Sequence, residues 1–570
     1  VTAGKSDDVD IAARAAPWVA TLGALAFVGA PLAMLLYAAF RGPADFLPFE
    51  SGAQWTFENV AGVFLDPVLG TRIIPQTLIF VGGVVSLTLT LAFALAWLIE
   101  RCDTPGRGAW HGLIVFPLLV PIPVIAIAWI IMFGPNAGWA NIGLRAMTGA
   151  SGPGPLNIFS MTGLIVCQSF VTTPFVFLQI SSTLRSMAPA LEESAMMSGA
   201  GALAVFRRVT LPILRPGLLA PLILVTLITF EQFELPLIIG LPARINIFAY
   251  RIYNELTPSS GLPNYGAACA ISLPFLAFGL IALSLYNRAT RRAERFVTIT
   301  GKGFSQRKLA LGRWRWPSLL FLCAYALLGA GLPLGALLWT SLFGFTPPGR
   351  ARLADANFSA YATFLRDPVF WRAAANTFLV AGASALIVTA LGGLIAWVVA
   401  RSKWRWRQAL DALSFMSLGI PAVIAALAAM VLFLSLPIGI YGTVWILIFA
   451  YSYRLATSTR LTRASLTQLH PELEEAASMS GARWLATQIR VLIPLLLPTL
   501  SSAFLVIFII GLREFTIPFV LNSPDNLVLP VLVWQLFQSG QPAPSAALGT
   551  IMILIALPMI LMARMVGSRA

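Results

Sequence analysis

The stretch Pro189-Ala-Leu-Glu192-Glu193-Ser194-Ala195-Met-Met-Ser-Gly199, followed by Val209-Thr-Leu211-Pro212, decides the fold because it occurs twice. At an offset of 282 it returns as Pro471-Glu-Leu-Glu474-Glu475-Ala476-Ala477-Ser-Met-Ser-Gly481, followed by Val491-Leu-Ile493-Pro494. Pro189 and Pro471 suit a first helical turn, where the missing N–H has no partner to lose. Glu192, Glu193, Glu474 and Glu475 follow in that turn, where carboxylates complement the helix dipole. Gly199 and Gly481 end the helix or turn it sharply. A second short helix then runs to Pro212 or Pro494, which opens the next apolar run. Each copy predicts a helix–Gly–helix with apolar side chains, among them Leu191, Met196, Leu473 and Met479, available to a partner's groove. One copy alone reads equally well as a connector lying on a membrane surface. Matched Glu, Gly and Pro spacing in two equivalent places argues for a docking element.

Around these loops the chain is overwhelmingly apolar. Of its 570 residues 58% are hydrophobic and 11% charged, far too little charge for the surface of a soluble domain. Runs long enough to cross about 30 Å of hydrocarbon recur along the whole chain. Six lie near 18–40, 74–99, 112–133, 161–183, 217–240 and 266–286, and six more near 317–341, 374–399, 410–434, 442–463, 498–520 and 546–564. The first has the length of a true span rather than of a signal sequence. Both loops fall between the fourth and fifth spans of their half. The repeat extends beyond them: Asp66-Pro67-Val68 returns as Asp367-Pro368-Val369, Ala96-Trp97 and Arg101 as Ala396-Trp397 and Arg401, and Pro121 as Pro421. The offset falls from about 300 to 282 along the way, which places roughly 18 extra residues in the 134–160 loop. The expected fold is an all-α polytopic membrane protein of about twelve transmembrane helices in two parallel six-helix repeats, residues 1–286 and 317–570, joined by a basic linker at 287–316.

The net charge of +15 reports orientation rather than a nucleic-acid ligand. Arg288, Arg291, Arg292, Arg295, Lys302, Arg307, Lys308, Arg313 and Arg315 crowd the linker against the single acid Glu294. Arg401, Lys403, Arg405 and Arg407 crowd the loop at 400–409. Short loops this basic face the cytoplasm, which puts both termini and both repeated loops there. The four cysteines are scattered, with no CxxC pair, and suit packing. Two histidines, His111 and His470, leave a histidine metal site improbable, and no metal ligands are assigned.

Ionisable side chains inside spans are costly and point to function. Glu231 and Glu234 are expected at i and i+3 on one face of the fifth span, with Gln232 between them; their repeat equivalents are Arg513, Glu514 (for Gln232) and Thr516. Arg454 falls about 18 Å into the tenth span at 1.5 Å per residue. Two readings stand side by side. These side chains line a polar path between the halves, or they form compensating pairs, Glu231 with Arg513 and Arg454 with Glu514. A lining of mixed sign suits an ion with its counter-anion, a zwitterion or an anion. Carboxylate oxygens suit ferric iron.

The loop pattern resembles the signature E-A-A, three residues, G, nine residues, I-x-L-P of permease subunits of binding-protein-dependent ABC importers. Here it reads Glu193-Ser194-Ala195, Gly199, Val209, Leu211-Pro212, and again Glu475-Ala476-Ala477, Gly481, Val491, Ile493-Pro494. The departures, Ser194 for Ala, Val for Ile twice and Ile493 for Leu, are conservative. The resemblance implies the type I ABC importer permease fold in a bacterial inner membrane. It also implies that Glu192, Glu193, Ala195, Gly199, Pro212, Glu474, Glu475, Ala477, Gly481 and Pro494 couple the chain to two copies of a cytoplasmic ATPase. An external binding protein would deliver the substrate. ATP and Mg would be bound by the partner ATPase, this chain holding no cofactor and hydrolysing nothing itself. A fused double permease of this length resembles the ferric-iron and thiamine group, and Phe230-Glu-Gln-Phe-Glu234-Leu-Pro236 is similar to the iron members. Thiamine, polyamine, phosphonate and sugar phosphate remain alternatives.

Two other motifs compete. Gly4-Lys5-Ser6 matches the end of a phosphate-binding loop but lacks its first glycine and strand. Asp103-Thr-Pro-Gly106-Arg107 resembles the D-x-x-G-R loop of twelve-span, proton-coupled secondary carriers. That fold predicts no Glu/Gly/Pro loop after the fourth span, and the second half has Arg401-Ser-Lys-Trp-Arg405 instead.

Overall fold

The computed structural model describes residues 11–42, 47, 50, 52–149, 151–186, 190–258, 262–294, 308–348 and 351–567. Much of the expected basic linker, and the Gly4-Lys5-Ser6 stretch, lie outside them.

Every apolar run is helical over most of its length, and among the described residues seven helices cross a membrane's thickness unaided. These are Ile11–Ala39, Leu69–Glu100, Met161–Arg185, Tyr265–Thr290, Gly312–Phe343, Pro368–Arg401 and Trp484–Arg513, or spans 1, 2, 4, 6, 7, 8 and 11. Three bent pairs raise the number to ten. Span 3 is Arg107–Leu119 plus Ile122–Phe133, bent by 103°, and span 9 is Arg407–Gly419 plus Ala422–Ser435, bent by 112°. Span 5 is Phe206–Arg215 plus Gly217–Phe230. Span 10 is divided into Val444–Tyr451 and Leu455–Leu466, and span 12 is Pro542–Gly567, whose apolar part Pro542–Pro558 is short.

The bends have a cause in the sequence. Pro121 and Pro421 occupy equivalent positions, and the residues before them, Val120 and Ile420, are extended, at φ −83 ψ 130 and φ −97 ψ 112. A proline's ring disfavours helical geometry in the residue before it, so the chain turns there. Proline is milder elsewhere. Pro31, Pro75, Pro212, Pro333 and Pro494 each sit at the start of a helix that continues from a wide turn, Leu25–Gly29, Leu69–Ile73, Phe206–Thr210, Leu327–Gly331 and Gln488–Leu492. The wide turn accommodates the missing N–H without ending the span.

The halves interlock. Ala30–Ala39 of span 1 packs on Ala422–Ser435 of span 9, and Leu332–Phe343 of span 7 packs on Ile122–Phe133 of span 3. Each first span thus leans on the bent helix of the opposite half. Span 6 reaches the bend of span 9 at Gly279, where an added Cβ would lie 2.3 Å from the Gly419 carbonyl oxygen. One apolar core runs through both halves. The 134–160 loop carries a helix of its own, Trp139–Thr148, tied down by Asn141 Nδ2 donating to the carbonyls of Gly134 (2.9 Å) and Leu156 (2.6 Å). The second half passes between the same two spans through 436–443 alone.

Candidate coupling loops and central cavity

Both loops fold as their residues direct. Ala190–Met197 and Glu472–Met479 are helices, followed by the short helices Ala202–Val205 and Trp484–Thr487. Gly199 and Gly481 have φ of +86 and +82, in the left-handed region where glycine is favoured. Each first helix closes in the same way: the amides of Ala200 and Ala482 donate to the carbonyls of Ala195 and Ala477, at 3.1 and 3.0 Å. Pro212 and Pro494 stand exposed in the first turns of Leu211–Phe230 and Ile493–Arg513. Pro189 and the side chains of Leu191 and Glu193 lie outside the described residues.

The paired glutamates, read from sequence as one feature, separate in space. The carboxylate of Glu192 is buried, 3.3 Å from Arg101 Nη1 and accepting from Thr210 Oγ1 at 2.6 Å. Glu474 repeats the arrangement, 3.0 Å from Arg401 Nε and accepting from Trp397 Nε1 at 3.1 Å. Glu475 faces solvent, as do Leu473, Met479, Met196 and Met197. The loops therefore turn one carboxylate inward to the end of the second span of their half; outward stand Met196 and Met197 in the first and Glu475, Leu473 and Met479 in the second. Arg101, Arg401, Thr210 and Trp397 were missed from the sequence. Their one signal was the recurrence of Trp97 and Arg101 as Trp397 and Arg401.

Between the halves lies a cavity of about 350 Å³ whose lining includes Glu231, Gln232, Arg454 and Arg513. The structure corrects the geometry expected for them. Span 5 ends at Phe230, so Glu231 caps the helix while Glu234 lies beyond the break. The two carboxylates do not share one helix face. Span 11 ends at Arg513, and Glu514 is extended. The breaks occupy equivalent positions, and their cause is Pro236 and Pro518, whose rings exclude a helical carbonyl four residues earlier, at Gln232 and Glu514. Span 10 opens at Ser452–Arg454, which places Arg454 in the gap.

These breaks decide the pairing. Arg454 Nη2 meets Glu514 Oε2 at 2.5 Å, the expected partner. No ion pair joins Glu231 to Arg513; Arg513 donates instead to the carbonyl of Leu118, beside the bend of span 3. Thr516 Oγ1 donates to Glu234 Oε1 at 3.1 Å. Residues 234 and 516 are repeat equivalents, and a residue that touches its own equivalent lies at the two-fold axis. The cavity is therefore central to the molecule. Among the described residues no cluster of three or more His, Cys, Asp or Glu side chains is placed to hold a metal ion.

The family of binding-protein-dependent transport system inner membrane components matches the chain twice, over residues 88–295 and 388–570. A ferric transport system permease protein FbpB from Actinobacillus pleuropneumoniae is 26% identical over 522 residues, 90% of this chain and 73% of the relative. An Fe(3+)-transport system permease protein FbpB 2 from Haemophilus influenzae is 21% identical over 94% of this chain and 96% of its own length. The spermidine/putrescine transport system permease protein PotC of the same organism is 25% identical over 37% of this chain and 81% of its own length.

Proposed function

Because the chain belongs to the family of binding-protein-dependent transport system inner membrane components, we propose that it is the fused, pseudo-dimeric permease of a ferric-iron importer. The observation that carries the reading is the doubled loop, closed at a left-handed glycine and anchored through a glutamate in each half alike. Two equivalent loops suit two copies of one ATPase. In this reading the loops and both termini face the cytoplasm, and ATP and Mg reside in those ATPases. ATP-driven closure draws the loops together and opens the central cavity outward, toward an external binding protein. The return inward releases the cargo.

Ferric iron is favoured over the alternatives by coverage. Relatives named for ferric transport align over 90% and 94% of this chain, whereas the spermidine/putrescine relative aligns over 37%. The cavity supports the same choice. Glu514 neutralises Arg454, leaving Arg513 and Glu231 on the lining. Such a lining of mixed sign suits a ferric ion carried with a counter-anion.

The test is uptake by the chain reconstituted in liposomes with its ATPase and binding protein. Radiolabelled ferric iron loaded on the binding protein is expected to accumulate with ATP hydrolysis and to persist when the proton gradient is collapsed. Accumulation of labelled spermidine or thiamine without iron overturns the substrate. Loss of uptake on collapse of the gradient, with ATP still high, overturns the importer in favour of a secondary carrier. ATP hydrolysis by the purified chain alone would overturn the division of labour.

A further inference from the structure

Spans 2 and 8 are fastened at both ends by side chains that recur in the repeat. At the loop end the fasteners are the ion pairs of Arg101 with Glu192 and Arg401 with Glu474, both largely shielded from bulk water. At the far end they are Thr77 and Thr377, both buried. Thr77 Oγ1 accepts the amide of Phe248 at 3.1 Å, and Thr377 Oγ1 accepts the amide of Leu529 at 2.9 Å. Each hydroxyl gives its own proton to the carbonyl four residues back, Ile73 or Ala373, both at 2.7 Å. Phe248 and Leu529 begin the helices Phe248–Leu256 and Leu529–Gln538, whose first amides have no partner within the helix. The neighbouring positions repeat the tie. Gln76 Oε1 accepts from the amide of Asn246 at 2.9 Å, and Asn376 Nδ2 donates to the carbonyls of Asp525 and Leu527, both at 3.0 Å.

What is tied at the far end leads directly into the cavity. The segments 231–248 and 513–529 begin at Glu231 and Arg513, which line it. Between their two fastenings spans 2 and 8 are free of proline: Pro75 and Pro368 stand before Thr77 and Thr377, and none follows as far as Arg101 or Arg401. A helix with its hydrogen-bond ladder intact transmits displacement along its axis instead of kinking. From Thr77 to Arg101 that axis is about 36 Å at 1.5 Å per residue.

We propose that spans 2 and 8 are struts that carry the displacement of each loop across the membrane to the cavity-lining segment, with Arg101, Arg401, Thr77 and Thr377 as the positioning residues that fasten their ends. The inference rests on the importer reading above, since it needs an ATPase to move the loops.

The experiment uses the chain assembled with its ATPase and binding protein in liposomes. Thr77→Val with Thr377→Val removes the buried hydroxyls at the centre of the far fastening without touching loops or cavity lining. ATPase retention and basal hydrolysis are expected to stay as in the unmodified chain, while uptake of binding-protein-delivered ferric iron falls tenfold or more. Thr77→Ser with Thr377→Ser keeps the hydroxyl and is expected to restore uptake. Glu192→Gln with Glu474→Gln cuts the near fastening. Combining it with the valine pair is expected to lower uptake no further, because a strut cut twice is no more cut. Unchanged uptake in the valine pair, or losses that multiply on combination, overturns the strut. Should the valine pair fail to assemble, hydrogen exchange on the unmodified complex decides. ATP is expected to change protection at the amides of Phe248 and Leu529, and no change there overturns the proposal. An unmodified chain that retains no ATPase overturns the importer reading and the strut with it.

Discussion

The two loops are nearly one object built twice, whereas the two segments that follow spans 5 and 11 share a proline and a helix break and differ in every charge. The loops match in their left-handed glycine, in their closing hydrogen bond and in an inward glutamate held by an arginine. The segments match in their proline and in where the helix breaks. Yet Glu231 stands where the other half has Arg513, Gln232 where it has Glu514, and Glu234 where it has Thr516. On span 4, Thr172, hydrogen-bonded with Gln168 at 3.0 Å, occupies the position of Arg454. The second half's Arg454–Glu514 ion pair thus has a neutral counterpart, Thr172 and Gln232, in the first. Symmetry is kept where a partner that comes in identical copies would dock. It is given up where a single cargo, which has no symmetry to match, would pass.

The largest effect should come from breaking the asymmetric side. Arg454→Met leaves Glu514 buried without its cation, and removing one member of such a pair typically costs about 3–5 kcal/mol. The variant is expected to lose stability on that scale, read as the thermal unfolding of the chain in detergent. Arg454→Thr with Glu514→Gln removes the pair as a unit and makes the second half resemble the first. It is expected to recover most of that stability while uptake of ferric iron still falls. A double variant as unstable as Arg454→Met would show that the pair is not what holds the gap in span 10. A double variant with unchanged uptake would show that the asymmetry has nothing to do with cargo.

The middle effect tests the symmetric side. Gly199 and Gly481 hold φ of +86 and +82, and an added Cβ at either meets nothing within 4 Å. The only penalty for alanine is backbone strain, about 1–2 kcal/mol for an L-residue in the left-handed region. Gly199→Ala and Gly481→Ala are expected to cost the same, within a few tenths of a kcal/mol, by the same unfolding measurement. A clear difference would mean that the two loops are not equivalent docking elements.

This contrast was legible in the sequence where the cause is local. Caps, left-handed glycines and the dipole-matched glutamates lie within one loop, so their spacing alone predicted the helix–Gly–helix. Apolar runs gave the spans for the same reason. The breaks were written in the chain as Pro121, Pro421, Pro236 and Pro518, but apolar neighbours on both sides made each run read as continuous. Carrying spans 5 and 11 straight through then put Glu231 opposite Arg513, whereas the real break turns Arg513 toward Leu118. The clamp of Arg101 on Glu192 was out of reach of any local pattern, because Arg101 ends span 2 whereas Glu192 belongs to the loop after span 4. The repeat hid it further, since the offset is 300 at the arginines and 282 at the glutamates.

The smallest effect on stability separates the two glutamates of one loop. Glu475 faces solvent in the first turn of its helix, where losing its charge from the helix dipole costs only about 0.3–1 kcal/mol. Its neighbour Glu474 accepts from Trp397 and meets Arg401, so Glu474→Gln removes a charge from inside that contact. Glu475→Gln is therefore expected to lower the unfolding temperature only slightly, and Glu474→Gln to lower it more. Retention of the ATPase on an affinity column should order them the other way, with Glu475→Gln losing more of it, because only the outward carboxylate is placed to meet a partner. If both variants lose the ATPase in proportion to their loss of stability, the division of the pair into an anchor and a contact is wrong, and the two glutamates act as one.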